Sequence, residues 1–117
     1  MGCVVFDTSF LLNCVKARVD FLREIKMRIG PFTPVVPSPV IDELKKLAAK
    51  KPEARVALKL VGEARVVESH LGADRSVVEI AASKGCYLAS TDGEVRSRGR
   101  ERGIRLITLR EGKHIQM

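Results

Sequence analysis

Short apolar runs alternate with amphipathic stretches along the chain. Four runs have the length of buried strands: 3–6, 65–68, 86–90 and 104–109. Apolar residues at helical spacing predict helices between them, at about 8–16, 19–29, 53–62, 74–84 and 93–102. Strands that alternate with helices indicate a parallel sheet covered on both faces. We therefore predict a single domain over residues 1–117, a three-layer α/β/α sandwich with a central parallel β-sheet.

A proline-rich segment interrupts this rhythm. Four of the five prolines lie between positions 31 and 39. Because proline cannot donate to a strand ladder, we expect Thr33–Val36 to form at most a short edge strand. Ser38 has the side chain of a helix N-cap and Pro39 suits the first helical position, which predicts a helix from there to about residue 50.

The composition is that of an ordinary globular protein. Hydrophobic residues make up 45% of the 117 residues and charged residues 30%, which excludes a disordered chain. No apolar run approaches the roughly 20 residues that span a bilayer, so no membrane association is expected. The start of the chain lacks the basic region of a signal peptide, and we expect a cytoplasmic protein.

The three cysteines are Cys3, Cys14 and Cys86. They are widely spaced and lie in apolar surroundings, without a C-x-x-C pair, so neither a zinc site nor a disulfide framework is indicated. We expect small buried thiols.

Carboxylates fall where predicted strands end. Asp7 directly follows the first strand, and Asp92 follows the 86–90 strand. Asp74 begins the helix after the third strand, and Glu43 lies one turn into the helix after the prolines, with Glu94 as a fifth candidate. Ligand sites of parallel sheets form outside the carboxyl ends of the strands, so these side chains are expected to meet at one edge.

Each carboxylate alone has a structural explanation. Asp7, Asp74 and Asp92 can each cap a helix or stabilise its first turn, whereas Glu43 can belong to a solvated helix face. Four carboxylates at one edge repel each other, and a divalent cation would neutralise them. Ligand sets made only of oxygen favour Mg²⁺ or Mn²⁺ over zinc. Ser9, two residues after Asp7, is expected to hold that carboxylate by a hydrogen bond.

Basic residues are concentrated after Asp92. The net charge is +7, and the segment "RSRGRERG" contains Arg96, Arg98, Arg100 and Arg102. A cationic helix beside an acidic pocket suits a nuclease, because arginines hold phosphates while metal ions act on one of them. A solvated helix face is the alternative for any single arginine.

The segments "FDTSFLLN", "PSPVIDEL", "GADRSVVEIA" and "ASTDGEVRSRGRERGIRLITLR" together resemble the PIN domain. The similarity is to short archaeal PIN proteins, which are related to pre-ribosomal RNA nucleases and VapC-type toxins. It spans nearly the whole chain, with the four motifs in family order. The resemblance implies a parallel sheet between helices and a magnesium- or manganese-dependent ribonuclease.

Carried over by position, the resemblance implies four catalytic metal ligands: Asp7, Glu43, Asp74 and Asp92. Glu94 is implied as a further ligand, and the family's supporting hydroxyl before the last aspartate falls on Ser90. Arg75 departs from the related ribosomal nucleases, which often have a second aspartate there. This arginine is expected to change metal affinity or to contact RNA phosphate.

The sequence thus predicts a metal-dependent endoribonuclease that hydrolyses RNA, either in RNA processing or as a toxin. The resemblance also implies a homodimer and either an antitoxin or a ribosome-assembly partner. Two alternatives stay open: an RNA-binding PIN domain without cleavage, and a receiver-type regulatory module with an acidic metal pocket. The receiver-type module would need a pocket lysine near the last strand, where this chain has Arg105 and Arg110.

Overall fold

The computed structural model describes residues 2–117. Its strands are β1 (Gly2–Phe6), β2 (Phe32–Pro37), β3 (Arg65–Val67), β4 (Tyr87–Ala89), β5 (Leu106–Arg110) and β6 (His114–Gln116). Its helices are α1 (Thr8–Ala17), α2 (Phe21–Ile29), α3 (Ser38–Ala48), α4 (Pro52–Leu60), α5 (Ala73–Lys84) and α6 (Gly93–Glu101). The predicted helices and strands are all present, with ends that shift by a few residues.

One six-stranded sheet has the order β3-β2-β1-β4-β5-β6, and all neighbours are parallel except β5 and β6. Helices α5 and α6 pack together, over β1, β2, β4 and β5, while α1 to α4 form the opposite layer. The three-layer architecture predicted from the sequence is confirmed.

The antiparallel strand β6 was not predicted. Glu111 and Gly112 both have positive φ, 55° and 66°, and turn the chain back after β5. Only Ile115 of β6 is buried, and one buried residue leaves no periodic signal in the sequence.

The expectation of an edge strand in the proline-rich segment is wrong. β2 is an interior strand that pairs with β1 on one side and β3 on the other. Pro34 and Pro37 each remove one donor, a net cost of about 1 kcal/mol per hydrogen bond. Val35 and Val36 are buried, and each contributes about 1.5–3 kcal/mol. Burial therefore outweighs the missing donors.

Ser38 is not the N-cap of α3. The helix starts at Ser38 itself, after Pro37, which makes no side-chain cap. The hydroxyl of Ser38 instead accepts a hydrogen bond from the backbone N–H of Ser69 at 3.0 Å. This bond ties the start of α3, which carries Glu43, to the segment that leads into α5, which carries Asp74.

The prediction of free thiols at Cys3 and Cys86 is also wrong, because they form a disulfide with a Cα–Cα distance of 4.8 Å. Val4 pairs with Tyr87 in the parallel β1–β4 ladder, so the residues that precede them lie side by side. This register is set by tertiary packing and cannot be read from two cysteines 83 positions apart. Cys14 is a buried free thiol, as predicted, and burial followed by repulsion from Glu24 raises its pKa to about 12.

The aromatic core lies under α1 and α2. The ring of Phe6 contacts those of Phe10 and Phe21, with centroid separations of 5.9 and 5.3 Å. This packing fixes the start of α1, and with it Asp7, against the end of β1. No helix within residues 2–117 has both the length and the apolar character to cross a bilayer.

Candidate active site at the carboxyl edge of the sheet

The strand order reverses between β1 and β4, which makes the crevice at their carboxyl ends the expected ligand site of this sheet. The chain runs from β1 outward to β2 in one direction and from β4 outward to β5 in the other. Asp7 follows β1 immediately, and Asp92 lies three residues beyond the end of β4. Both carboxylates therefore flank this crevice.

Asp7 is only 2% exposed and is the N-cap of α1. Its Oδ1 accepts from the backbone N–H of Thr8 at 3.0 Å. Its Oδ2 accepts from the hydroxyls of Ser90 at 2.7 Å and Ser9 at 3.1 Å. Burial raises the pKa of Asp7 above its usual 3.8, and the nearby Asp74 adds to this, while the three hydrogen bonds oppose it. The carboxylate is thus held rigidly in a site that disfavours its charge.

Asp92 is joined to Asp7 through Ser90. The Ser90 hydroxyl that donates to Asp7 also accepts from the backbone N–H of Asp92 at 3.0 Å. Asp92 caps α6 by accepting from Val95 N–H at 3.0 Å. Asp7 and Asp92 therefore each cap a helix and also belong to the site. Ser9 makes the hydrogen bond to Asp7 that the sequence predicts, Ser90 links Asp7 to Asp92, and the importance of both hydroxyls for a bound metal stays a prediction.

Asp74 and Glu43 approach the same place from α5 and α3. Partial burial raises the pKa of Asp74, and repulsion from Asp92 and Glu43 raises it further, with Arg98 in opposition. An open depression of about 270 Å³ contains all four predicted carboxylates; it is lined by Asp7, Thr8, Ser9, Leu12, Glu43, Leu47, Asp74 and Asp92. We call this the acidic depression. Convergence of the four carboxylates at one edge agrees with the sequence prediction.

The donor set of the acidic depression suits a hydrated Mg²⁺ or Mn²⁺. Among residues 2–117, no three His, Cys, Asp or Glu side chains are placed to hold one metal ion together. Magnesium commonly uses one or two carboxylates and keeps several waters, so three direct protein ligands are not required. Thr8 also fits: this residue lines the depression, and its Oγ1 is buried without a hydrogen-bond partner in the described part of the chain. Which carboxylates ligate a metal stays a prediction.

Glu94 lies outside the lining of the acidic depression. It is exposed and accepts from Arg98 Nη2 at 2.6 Å, one helical turn along α6. The structure therefore gives this predicted ligand an ion-pair partner outside the depression, although its charge still helps to raise the pKa of Asp74, and its role toward a metal stays a prediction.

The predicted arginine cluster divides between two sides of α6. Arg98 and Arg102 face α5, where Arg102 pairs with Glu79. Together with Arg75 they line a groove of about 300 Å³, whose three cations stand against the carboxylates of Glu79 and Glu101. We call this the arginine groove. Arg96 and Arg100 do not line it: Arg100 is exposed and Arg96 is half-buried. Arg75 lies next to Asp74, so the groove begins directly beside the acidic depression.

Two polar features of this edge were not predicted. Thr8 was passed over because a threonine after a helix cap carries no signal of burial. The contact from Asn13 Nδ2 to Thr91 Oγ1, at 2.8 Å, joins residues 78 positions apart. Only the three-dimensional arrangement of α1 against the end of β4 reveals it.

Comparison with known proteins decides the family. Residues 4–112 match the family described as PIN like domain. The chain belongs to the PIN family. This match covers nearly the whole sequence and confirms the resemblance drawn from the four motifs.

Relatives of this PIN domain include nucleases. Ribonuclease VapC9 of Archaeoglobus fulgidus is 31% identical over 118 residues, which cover 97% of this chain and 87% of the relative. The structure of the PIN domain endonuclease Utp24 has a TM-score of 0.78 at 24% identity, over 97% of this chain and 90% of that one. VapBC2 from Rickettsia felis, bound to a DNA fragment from its promoter, has a TM-score of 0.68 at 13% identity, with 92% and 99% covered. The two structural likenesses show the fold.

Proposed function

We propose that this PIN domain is an Mg²⁺- or Mn²⁺-dependent endoribonuclease. The observation that carries the proposal is the convergence of Asp7, Glu43, Asp74 and Asp92 in one depression at the switch point of the sheet. Membership of the PIN family and similarity to a protein named a ribonuclease support it.

The residues of the chain provide a charged, partly rigid frame for this reaction. Asp7 is held by three donors and Asp92 by its cap, so both keep their orientation without a ligand. Glu43 is exposed on α3, which leaves its carboxylate free to orient water or to approach a cation. A bound Mg²⁺ or Mn²⁺ would supply an activated water and neutralise charge on the phosphate.

The arginine groove would bind RNA next to the point of cleavage. The groove begins beside Asp74, and three of its side chains are solvent-exposed arginines: Arg75, Arg98 and Arg102. Phosphate contacts of this kind add affinity that depends on salt and little on sequence. Arg96 and Arg100 lie outside this groove, and phosphate contacts at these two residues stay a separate prediction: their double change to alanine should weaken RNA binding at every sequence with little change in the rate at saturating RNA.

The cleavage test uses purified protein with labelled single-stranded and structured RNAs, in Mn²⁺ and in EDTA. Asp7→Asn and Asp92→Asn should each reduce cleavage by about 100-fold or more while keeping the fold. Asp42→Asn is the matched control, because Asp42 is exposed, neighbours Glu43 and does not line the acidic depression. Cleavage that persists in EDTA, or site variants that cleave RNA as fast as the unsubstituted protein and Asp42→Asn, would reject the proposal.

The alternative is an RNA-binding PIN domain without cleavage. The lack of three side chains placed to share one metal ion, among residues 2–117, is the observation in its favour. Tight RNA binding without Mn²⁺-dependent cleavage would identify it. The receiver-type alternative is not supported, since the chain belongs to the PIN family.

The biological setting is either RNA processing or a toxin with an antitoxin partner. Similarity to Ribonuclease VapC9 and to the VapBC2 structure supports the second. Co-expression with the product of an adjacent gene, followed by co-purification and loss of RNA cleavage, would establish an antitoxin. A cytoplasmic location, a homodimer and a ribosome-assembly partner remain predictions.

A further inference from the structure

A second groove opens beside the acidic depression, between α1 and the turn that joins β5 to β6. Its volume is about 640 Å³, within the usual range of ligand sites. The polar residues that line it are Asn13, Lys16, Thr91, Glu111 and Lys113. We call it the α1 groove. None of these residues is assigned a role by the proposed chemistry.

The α1 groove and the acidic depression share a wall. Ser9 and Leu12 line the depression, and the next turn of α1 brings Asn13 and Lys16 into the groove. Thr91 lies directly before Asp92, and its backbone N–H donates to the Ser9 hydroxyl at 3.2 Å. The α1 groove therefore lies one helical turn along α1 from the depression, in a position to receive a strand that crosses it.

The chemistry of the α1 groove differs from that of the depression. Lys16 and Lys113 provide two cations against one carboxylate, that of Glu111, whereas four carboxylates surround the depression. The amide of Asn13 uses one hydrogen in its bond to Thr91, which leaves a second donor and a carbonyl acceptor. Cations with an adjacent amide suit the phosphates and a base edge of a nucleotide strand.

The arginine groove lies on the other side of the depression. Helices α5 and α6 form it on one face of the sheet, whereas α1 belongs to the opposite layer. The depression at the carboxyl edge is thus flanked by two grooves that each carry cationic side chains. From Ser9 to Lys16 the axis of α1 extends about 10 Å, or about three stacked nucleotides.

We propose that single-stranded RNA runs from the arginine groove across the acidic depression and leaves through the α1 groove. Lys16 and Lys113 bind backbone phosphates there, and Asn13 with Thr91 contacts the base next to the cleavage point. The inference rests on the proposed function for the identity of the strand. Contacts on both sides of the reacting phosphate suit a strand that continues in both directions, as the proposed endoribonuclease requires.

The test measures binding without metal. A fluorescent 12-nucleotide single-stranded RNA is titrated in EDTA, at salt concentrations from 0.05 to 0.4 M, by fluorescence anisotropy. Two phosphate contacts to a single strand change the slope of log K against log salt by about 1.4, which corresponds to about 25-fold in affinity at 0.1 M relative to 1 M salt. The double variant Lys16→Ala/Lys113→Ala should therefore show both the smaller salt slope and the weaker affinity for RNA.

The matched control is Lys59→Ala/Lys84→Ala, which removes the same charge from two exposed lysines that line neither groove nor the depression. If the two double variants bind RNA equally, the inference is overturned. Circular dichroism of both variants excludes unfolding as the cause of a loss. Asn13→Ala should leave the salt slope unchanged while altering the preferred cleavage positions on a long RNA.

The outcomes separate this inference from the proposed function. If the protein cleaves no RNA in Mn²⁺, but Lys16→Ala/Lys113→Ala loses RNA affinity, the proposed RNA path stands and the proposed nuclease activity is rejected. If the protein cleaves RNA, but the Lys16→Ala/Lys113→Ala variant binds and cleaves RNA like the control variant, the nuclease activity stands and the proposed RNA path is rejected. Equal weakening for duplex and single-stranded RNA would overturn the assignment to single strands.

Discussion

Reduction of the Cys3–Cys86 disulfide should destabilise the fold strongly. The bond closes a loop of 83 residues between β1 and the start of β4. The chain-entropy model assigns about 15 cal/mol/K to a loop of that length, which is about 4.5 kcal/mol at 25 °C. With an unfolding entropy of about 2.1 cal/mol/K per residue over 117 residues, the midpoint of thermal unfolding should fall by about 18 °C.

The assay compares thermal unfolding by circular dichroism for the oxidised protein and for protein kept in reductant. Thiol titration in denaturant should count one thiol before reduction and three after it, since Cys14 is free. Cys14→Ala is the control, because it removes the buried free thiol and leaves the disulfide. Equal midpoints for the oxidised and reduced protein would refute the loop-entropy argument, and three thiols in the untreated protein would refute the bond itself.

Three further predictions follow from the site and from α6. Burial raises the folded-state pKa of Asp7 above 3.8, so the free energy of unfolding should fall as pH rises from 3.8 through that raised pKa. In denaturant titrations across this window Asp7→Asn should show a shallower fall, because Asp74 keeps its own contribution. A pH dependence equal to that of the unsubstituted protein would contradict the assignment. Because Thr8 Oγ1 is buried without a partner in the described part of the chain, Thr8→Val should leave the metal-free protein as stable, or more stable by up to about 1 kcal/mol. The same change should weaken Mn²⁺ binding in calorimetry, and an unchanged Mn²⁺ affinity would mean that this hydroxyl does not contact the ion. Gly99→Ala would place a Cβ 2.9 Å from Leu106 Cδ2 and 3.2 Å from Cδ2 of the fully buried Leu88, so both leucines must shift. About 1–3 kcal/mol of overpacking should then outweigh a gain of about 1 kcal/mol in helix propensity. Gly93→Ala, with no atom within 4 Å, is the control in chemical denaturation, and equal stability of the two variants would contradict the close approach.

The predictable parts of the fold are those determined by residues that are close together in the sequence. Asp7 and Asp92 could be placed because each lies between a strand and the helix that it caps, so one local feature locates both the cap and the site. The interior position of β2 was missed because proline penalises a ladder locally, whereas the burial of Val35 and Val36 depends on both neighbouring strands.

The missed features depend on pairs that are distant along the chain. The Cys3–Cys86 bond follows from the β1–β4 register, and the Asn13–Thr91 contact follows from how α1 lies across the end of β4. The ion pair of Glu94 with Arg98 was visible as a spacing of four residues. The family motif implies a metal ligand at the same position, and that role stays a prediction.

Both edges of the sheet consist of strands of three residues, β3 and the antiparallel β6. A short edge presents few unpaired backbone groups, so it is a poor template for continuing the sheet into a second molecule. Self-association, if this PIN domain dimerises, should therefore use helical surfaces, where Met27, Val56 and Leu60 are exposed on α2 and α4. The same edges should protect concentrated solutions of the protein against strand-to-strand aggregation.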